Sequence, residues 1–111
     1  MSKLQWFYDS KCTKPIKTLE NVGFSKDIIE AGETTEIIYY LKNVTEDKID
    51  KIKITVDDDE VKVIQELDSL KPAEFMAVHF TFSPSETREE ALQTVIRLLF
   101  RVIKEPKGWK A

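Results

Sequence analysis

The feature that most constrains the fold is the segment from Glu33 to Asn43, ETTEIIYYLKN, whose pattern is typical of a core strand. Side chains of an extended chain alternate between two faces, so Ile37, Tyr39 and Leu41 share one face. The segment from Ile49 to Val56 repeats this pattern, with apolar residues at every second position over most of its length. Strands with such alternation pack one face on a core. The middle of the chain is therefore predicted to be β-structure.

Turn-forming residues divide the rest of the chain into segments of strand length. Ala31-Gly32, Asp57-Asp58-Asp59 and Pro72 each interrupt an apolar pattern. We predict seven strands, at residues 4–8, 19–29, 33–43, 49–56, 60–65, 75–82 and 94–104. This spacing predicts an all-β sandwich of two antiparallel sheets. The side chains expected between the sheets include Tyr39, Leu41, Ile54, Val78 and Phe80.

The segment from Ser83 to Glu105 has two interpretations. Residues 83–86 contain a serine, a proline and a glutamate at the positions of an N-cap, a first helical residue and a capping box, and the apolar residues beyond them fit a helical stripe. Alternatively, residues 96, 98, 100 and 102 form an apolar period-two face. We predict a short helical turn near residues 85–91 and then a strand from Thr94 to Lys104, because a sandwich needs a closing strand here.

Length and composition indicate one domain that binds neither nucleic acid nor membrane. The chain has 111 residues and a net charge of −3, with no basic stripe that would neutralise phosphates. The N-terminus lacks the apolar core of a signal peptide, and no apolar run approaches the ~18 residues of a membrane span. We expect an N-terminal arm and linker at 1–18, a domain at 19–105 and a tail at 106–111.

The order of turns and strands resembles immunoglobulin-like β-sandwich modules of microbial and phage surface and virion proteins, which are related in shape to the CARDB and fibronectin type III groups. The motifs that carry the resemblance are AGETTE before IIYYLKN, and LKPAE before MAVHFTFSPS. The resemblance covers residues 21–104 and implies that Asn43 stabilises the loop that follows its strand. It also implies that Leu70, Pro72 and Glu74 form the turn before a late strand. Such motifs specify a shape that hosts many functions.

No residue pattern predicts catalysis, a metal or a cofactor. His79, the single histidine, is expected at the surface. The acidic run Asp57–Glu60 lacks the ligand spacing and the glycine of a calcium loop, so a solvated turn is expected. Cys12 has no partner for a disulfide or a CxxC motif and is expected to be a free thiol. Asn43-Val44-Thr45 matches the glycosylation motif, which we interpret as accidental. We therefore predict that the protein is not an enzyme.

Aromatic residues are concentrated near the ends of the chain, and we predict four of them as partner-binding residues. These are Trp6, Phe7, Tyr8 and Trp109. Tryptophan and tyrosine are frequent binding anchors, and each buried aromatic removes ~150–250 Å² from water. The segment that carries the first three has two interpretations. It is either a strand folded against its own domain or an arm that docks on a neighbouring subunit.

Further candidates lie on strand faces opposite the predicted core. Ile38 and Tyr40 are expected to face outward from the strand at 33–43. Val95 and Leu99 are expected to face outward from the last strand, interleaved with arginines. Exposed apolar residues along neighbouring strands indicate a contact patch. The alternative is that the N-terminal arm or Trp109 folds back and covers them.

These observations favour a non-catalytic structural protein that docks on a larger assembly. A free-standing sandwich without an export signal fits a virion accessory protein, such as a capsid decoration or tail component, because virions assemble in the cytosol. The alternative is a cytosolic adaptor or chaperone-like module that binds a peptide by strand addition at an open sheet edge. The expected partner is a capsid, another large protein assembly or a second copy of the chain. The expected location is the virion or, failing that, the cytoplasm.

Overall fold

The computed structural model describes residues 3–17, 19–24, 30–87 and 92–104 of the chain. Among these residues there are seven strands and no helix that could cross a membrane. The strands are β1 (Leu4–Phe7), β2 (Asn21–Phe24), β3 (Thr35–Asn43), β4 (Lys48–Val56), β5 (Val61–Gln65), β6 (Phe75–Phe82) and β7 (Leu92–Ile103). They form two antiparallel sheets, in the orders β1-β3-β6-β5 and β2-β7-β4. The predicted all-β sandwich is confirmed.

The segment with two interpretations is a strand over most of its length. β7 starts at Leu92, two residues before the predicted start, because its first residues pair with β2. Residues 85 and 86 form a bend instead of the predicted helical turn, whose residues 88–91 lie outside the described residues. Pairing with strands on both sides outweighs the helical pattern, since tertiary context decides short apolar runs. The strand predicted at 19–29 is observed only as β2, and residues 25–29 are likewise outside the described ranges.

The strand order is compatible with an immunoglobulin-like arrangement. In that arrangement strands A, B, E and D form one sheet, and C, F and G form the other. β1, β3, β6 and β5 take the places of A, B, E and D, while β4 and β7 take those of C and F. β2 takes the place of G, although it precedes β3 in the chain. It pairs only with Leu92–Val95 at the start of β7, so the rest of the G place holds no strand that the structure describes.

The core lies between the sheets and is built from alternate residues of both. Leu41 in β3 and Val78 and Phe80 in β6 are fully buried, and Ile54 in β4 is buried opposite them. Trp6 in β1 packs against Phe80, with ring centroids 6.2 Å apart. The predicted burial of these four strand residues is confirmed, and Trp6 joins them in the core.

Tyr39 and Phe100, both predicted on core-facing sides of their strands, are more exposed than expected. Tyr39 is only partly buried, because it lies one residue beyond the end of the pairing between β1 and β3. Its ring contacts those of Trp6 and Tyr8 edge-on. Phe100 is 38% exposed. It lies in the part of β7 that β2 does not reach, so no described strand covers it on that side.

The N-terminal segment predicted as an arm belongs to the four-stranded sheet. β1 pairs in antiparallel register with Tyr40–Asn43 of β3. The chain then turns back along β1: the N–H of Tyr8 donates to the carbonyl of Lys14, and that of Ile16 donates to the carbonyl of Trp6, both at 2.9 Å. Of the two interpretations, the structure has the strand folded against its own domain. The division into residues 1–18, 19–105 and 106–111 stays a prediction.

Asn43 ends β3 with a fully buried side chain. Its Nδ2 donates to the carbonyl oxygens of Asp47 at 2.7 Å and of Leu70 at 3.0 Å. Its Oδ1 accepts from the backbone N–H of Thr45 at 2.9 Å and from the Thr45 hydroxyl at 2.7 Å. The amide thus uses both donors and both acceptor sites, and the implied stabilisation of this loop is confirmed. A side chain buried in this way is not accessible to glycosylation in the folded chain.

The turn before β6 packs against the same asparagine. The N–H of Glu74 donates to the carbonyl of Lys71 at 2.9 Å, and the Glu74 carboxylate accepts from the Lys71 N–H at 2.9 Å. The backbone of Asn43 pairs with the turn on both sides, since its N–H donates to Glu74 and its carbonyl accepts from Ala73. The turn implied by the LKPAE motif is therefore present.

Replacing Leu41 or Ile54 by alanine is expected to lower the free energy of unfolding by about 2–5 kcal/mol, because burial is lost and a cavity remains. Ile64→Ala is the matched control, since Ile64 is 56% exposed and surface substitutions stay within about 0.5 kcal/mol. Urea unfolding followed by tryptophan fluorescence measures all three variants. Core variants that behave like the control would show that the strand faces are inverted.

Asn43→Ala is expected to lower the free energy of unfolding by at least about 1–3 kcal/mol, the cost of one buried backbone group left without a partner. Asn21→Ala is the control, because Asn21 is an exposed asparagine in a strand. Thermal and urea unfolding measure both variants. Similar small losses for the two would contradict the role assigned to the Asn43 amide.

Candidate functional site

The terminal aromatic residues predicted to bind a partner lie in different environments. Trp6 is buried in the core. Phe7 lies directly opposite Tyr40 across the β1–β3 pair, so it points to the outer face of the four-stranded sheet, where it is buried. Tyr8 is exposed. Trp109 lies outside the residues that the structure describes.

The four apolar residues predicted as one contact patch are divided between two sheets. Ile38 and Tyr40 lie in β3, and Val95 and Leu99 lie in β7. The outer faces of two packed sheets point in opposite directions, so these residues form two separate surfaces. The prediction of a single patch is wrong because the alternation of side chains shows which face a residue occupies but not which strands are neighbours.

The first surface is the outer face of the four-stranded sheet, named the aromatic face below. The ring of Tyr40 lies beside that of Phe75, with centroids 6.5 Å apart, and beside Phe7. Strand pairing also places Ile38 and Ile64 on either side of His79. The aromatic face consists of Phe7, Ile38, Tyr40, Ile64, Phe75 and His79. Phe75 and Ile64 were not predicted, although the alternation places both of them opposite the core.

His79 lies on the aromatic face and forms a pair with an acidic residue. Its Nδ1 is 3.3 Å from the Oε2 of Glu36, and both side chains are partly exposed. The predicted surface position of His79 is confirmed. An exposed pair of this kind contributes about 0–1 kcal/mol at most. Its effect on the aromatic face is to place a polar group beside the apolar side chains.

The second surface is the part of β7 that extends past β2. On one side β7 pairs with β4 along Ile96–Ile103, apart from a bulge. On the other side, pairing with β2 and Glu20 ends at Ile96. Residues 97–103, named the β7 edge below, have no strand on that side among the described parts of the chain. Leu99 in this edge is 66% exposed.

The hydrogen bonds at the start of the β7 edge show which of its residues direct their N–H and C=O groups to the side without a described strand. The N–H of Ile96 donates to the carbonyl of Glu20 at 2.8 Å, on the β2 side. The carbonyl of Val95 accepts from the N–H of Asp57 at 3.3 Å, on the β4 side. Successive residues of a strand direct their N–H and C=O groups to opposite sides. The edge residues that direct these groups to the open side are Leu98, Phe100 and Val102.

Two arginines flank Leu99 on the outer face of β7, and both are held toward β4. Arg101 donates to the two carboxylate oxygens of Asp50 at 2.9 and 2.7 Å. Arg97 donates to Asp57 at 3.0 and 3.4 Å. The hydrogen bond from Arg101 lowers the pKa of Asp50 and raises the pKa of Arg101. Both guanidinium groups are therefore neutralised by a carboxylate on the β4 side.

Two other sheet edges carry protective features that the described residues do not provide at the β7 edge. The segment from Tyr8 to Ile16 folds back along β1. Along β4, the backbones of Ile49 and Leu70 exchange hydrogen bonds of 3.0 and 2.8 Å. The side-chain amide of Gln65 donates to the carbonyl of Ile52 and accepts from the N–H of Ile54. Natural sheets block their edges in such ways against pairing with other chains.

The first half of β3 is another stretch without a described strand on one side. β1 pairs with residues 40–43 only, which leaves residues 35–39 open on that side within the described part of the chain. The side chains of this stretch are polar or at least partly buried, and it carries none of the large exposed apolar residues. The β7 edge is therefore a stronger candidate for strand addition than this part of β3.

Acidic and thiol groups do not assemble into a reactive cluster in the ranges that the structure covers. No three His, Cys, Asp or Glu side chains come together there in a way that could hold a metal ion. The run Asp57–Glu60 forms a turn in which Asp58 Oδ1 accepts from the Glu60 N–H at 2.8 Å. Partial burial raises the pKa of the Cys12 thiol, which makes it a weaker nucleophile. The absence of enzyme activity stays a prediction.

Comparisons with models of protein families, with curated proteins and with solved structures found no match to this chain. The resemblance to immunoglobulin-like modules therefore rests on the turn motifs and the observed strand order. A shared strand order supports the fold and carries no function with it.

The pair of Asp50 and Arg101 is expected to make stability depend on pH in the acid range. Because the pKa of Asp50 is lower in the folded chain, the unfolded chain takes up the proton first. The stabilisation is present above the unfolded value of about 3.9 and is lost as the pH falls through the folded value. Asp50→Asn should therefore destabilise the protein at pH 7 and have progressively less effect in acid.

Urea unfolding at a series of pH values between about 7 and 2.5 measures this difference around the unfolded pKa. Asp59→Asn, in the exposed turn after β4, is the control and should change the free energy of unfolding by less than about 0.5 kcal/mol. An effect of Asp50→Asn that is the same at every pH would show that the carboxylate does not stabilise the fold through its charge.

Proposed function

We propose that this protein is a non-catalytic interaction module that docks on a larger protein assembly through the aromatic face. The observation that carries the proposal is the exposure of Phe75 beside Tyr40, and of Ile64 across His79 from Ile38, on a sheet face where alternation normally places polar residues. Contiguous exposed apolar side chains of this kind mark interaction sites.

The composition of the aromatic face supports protein binding. Binding interfaces combine aromatic anchors at the centre with a polar rim. Here Tyr40 and Phe75 contact each other, while Lys42 lies opposite Phe75 and Glu36 pairs with His79. All five residues belong to paired strands, so a partner would meet a surface that needs little ordering on binding.

The kind of assembly is proposed from the sequence resemblance. Immunoglobulin-like modules of phage surface proteins make a virion the first candidate, with this chain as a capsid decoration or tail component. A repetitive protein lattice would offer many copies of one docking site to a small domain with one apolar face. Co-sedimentation with particles from the source of the protein addresses this part of the proposal.

A second candidate function is the binding of an extended peptide by strand addition, as in an adaptor or chaperone-like module. The β7 edge favours it, because Leu98, Phe100 and Val102 direct backbone groups to a side where the described chain places no strand. In strand addition, main-chain hydrogen bonds supply affinity, and pockets for alternate side chains supply specificity.

Phe75→Ser is expected to weaken co-sedimentation with the parent assembly, because a central aromatic anchor contributes about 2 kcal/mol or more to binding. This corresponds to at least ~30-fold in Kd. Val44→Ser is the matched control, since Val44 is 48% exposed and Phe75 is 44% exposed, and Val44 lies in a loop. Equal binding by both variants, with melting temperatures unchanged, would exclude the aromatic face as the docking surface.

A further inference from the structure

We infer that the strand added at the β7 edge comes from a second copy of this chain, so that β7 pairs antiparallel with its own counterpart across a two-fold axis. The inference rests on strand addition, the second function proposed above, and names its partner. A two-fold interface requires a surface that is complementary to itself. The β7 edge meets this requirement in its length, its hydrogen-bonding groups and its charges.

The length and the hydrogen-bonding groups determine the register. The edge runs over residues 97–103, and an axis at Phe100 pairs the whole edge with itself. Leu98 then lies opposite Val102 of the second copy, and Phe100 lies opposite Phe100. These are the residues whose N–H and C=O groups point to the open side, so each such pair exchanges two hydrogen bonds.

Neighbouring registers fit the edge less well. A shift by one residue would oppose these groups with residues whose N–H and C=O groups already pair with β4. A shift by two toward β2 would use the N–H of Ile96, which donates to Glu20. A shift by two the other way would shorten the ladder. The length and position of the β7 edge therefore favour the register centred on Phe100.

In this register no two arginines lie directly opposite each other. Charged side chains are a common device that blocks edge pairing, and like charges directly opposite one another destabilise a strand pair. With the axis at Phe100, Arg101 faces Leu99 of the second copy and Arg97 faces Ile103. Both arginines are also paired with carboxylates away from the edge, Arg101 with Asp50 in β4 and Arg97 with Asp57 directly after β4.

The same register gives Phe100 a partner on the inner side of the sheet. Its side chain is 38% exposed because no described strand continues β2 beside it. In the dimer, two Phe100 rings meet at the axis, and cross-strand aromatic pairs stabilise a sheet. The joined sheets leave the aromatic face of each copy free, because that face belongs to the other sheet. The dimer would therefore present two docking faces to an assembly, which raises avidity without new contacts.

Sedimentation equilibrium of the full chain over a range of concentrations tests the inference. Wild type should form a dimer. Phe100→Pro should be monomeric, because it removes the N–H at the axis, and proline is tolerated on a strand whose N–H faces away from its neighbour. Phe100→Ala keeps this N–H and should retain measurable association. Phe100→Lys leaves the backbone unchanged and places two like charges at the axis, so it should also be monomeric. Thermal unfolding shows which variants are folded.

Spin labels test the register in a Cys12→Ser background. A label at Val95 should give an intermolecular distance of about 33 Å, and one at Gln93 about 46 Å, since ten and fourteen residue steps of ~3.3 Å separate the two copies. A dimer with other distances, or one that folded Phe100→Lys leaves intact, would overturn the inference.

A monomeric wild type would also overturn the inference. A peptide-binding measurement would then show whether the β7 edge accepts an added strand at all. The probe is a synthetic peptide with the sequence of residues 96–104, IRLLFRVIK. If monomeric wild type binds this peptide and Phe100→Pro does not, the edge accepts strands but not a second folded copy, and the adaptor function stands. If neither binds it, both strand addition and the inference fail.

Discussion

The buried amide of Asn43 is the interaction on which one end of the sandwich depends. At this end the chain crosses from β3 in one sheet to β4 in the other, and the connection between the neighbouring strands β5 and β6 also lies here. One side chain satisfies groups in both connections, through Thr45 and Asp47 in the first and through Leu70 in the second. Leu70 in turn bridges to Ile49 of β4, so the network joins the two sheets. No apolar residue of similar size would satisfy these backbone groups, and leaving them unpaired inside the protein is costly.

The sheet edges follow from how the N-terminal part of the chain is used. Residues 4–7 pair with β3, and the chain then crosses so that β2 pairs with the start of β7. One short strand takes the place that a full G strand holds in an immunoglobulin-like sandwich. The β4 edge, which has Leu70 and Gln65 beside it, is blocked. Beside the β7 edge the described residues place no strand, and Leu99 is exposed there. Both proposals about strand addition depend on this asymmetry.

Much of the fold was predictable from local pattern. Leu41, Ile54, Val78 and Phe80 were placed in the core by period-two alternation, and the structure buries all four. The loop role of Asn43 was implied by the resemblance to immunoglobulin-like modules. The secondary structure of residues 83–104 was less predictable, because this segment fits both a helical and a strand pattern. Pairing with β2 and β4 made it a strand, and a single sequence does not show which segments will pair.

The candidate surfaces were also predictable only in part from the sequence. The sequence by itself determined which face of its strand each residue occupies, because alternation is a property of any extended chain. It therefore placed Ile38 and Tyr40 opposite the core, as the structure has them. Only the tertiary structure decided that these two residues lie on a different sheet from Val95 and Leu99. It also decided that residues 97–103 of β7 have no strand on one side among the described residues. Backbone N–H and C=O groups are alike at almost every residue, so the choice of neighbouring strand depends on how the whole chain packs and closes, not on any local pattern.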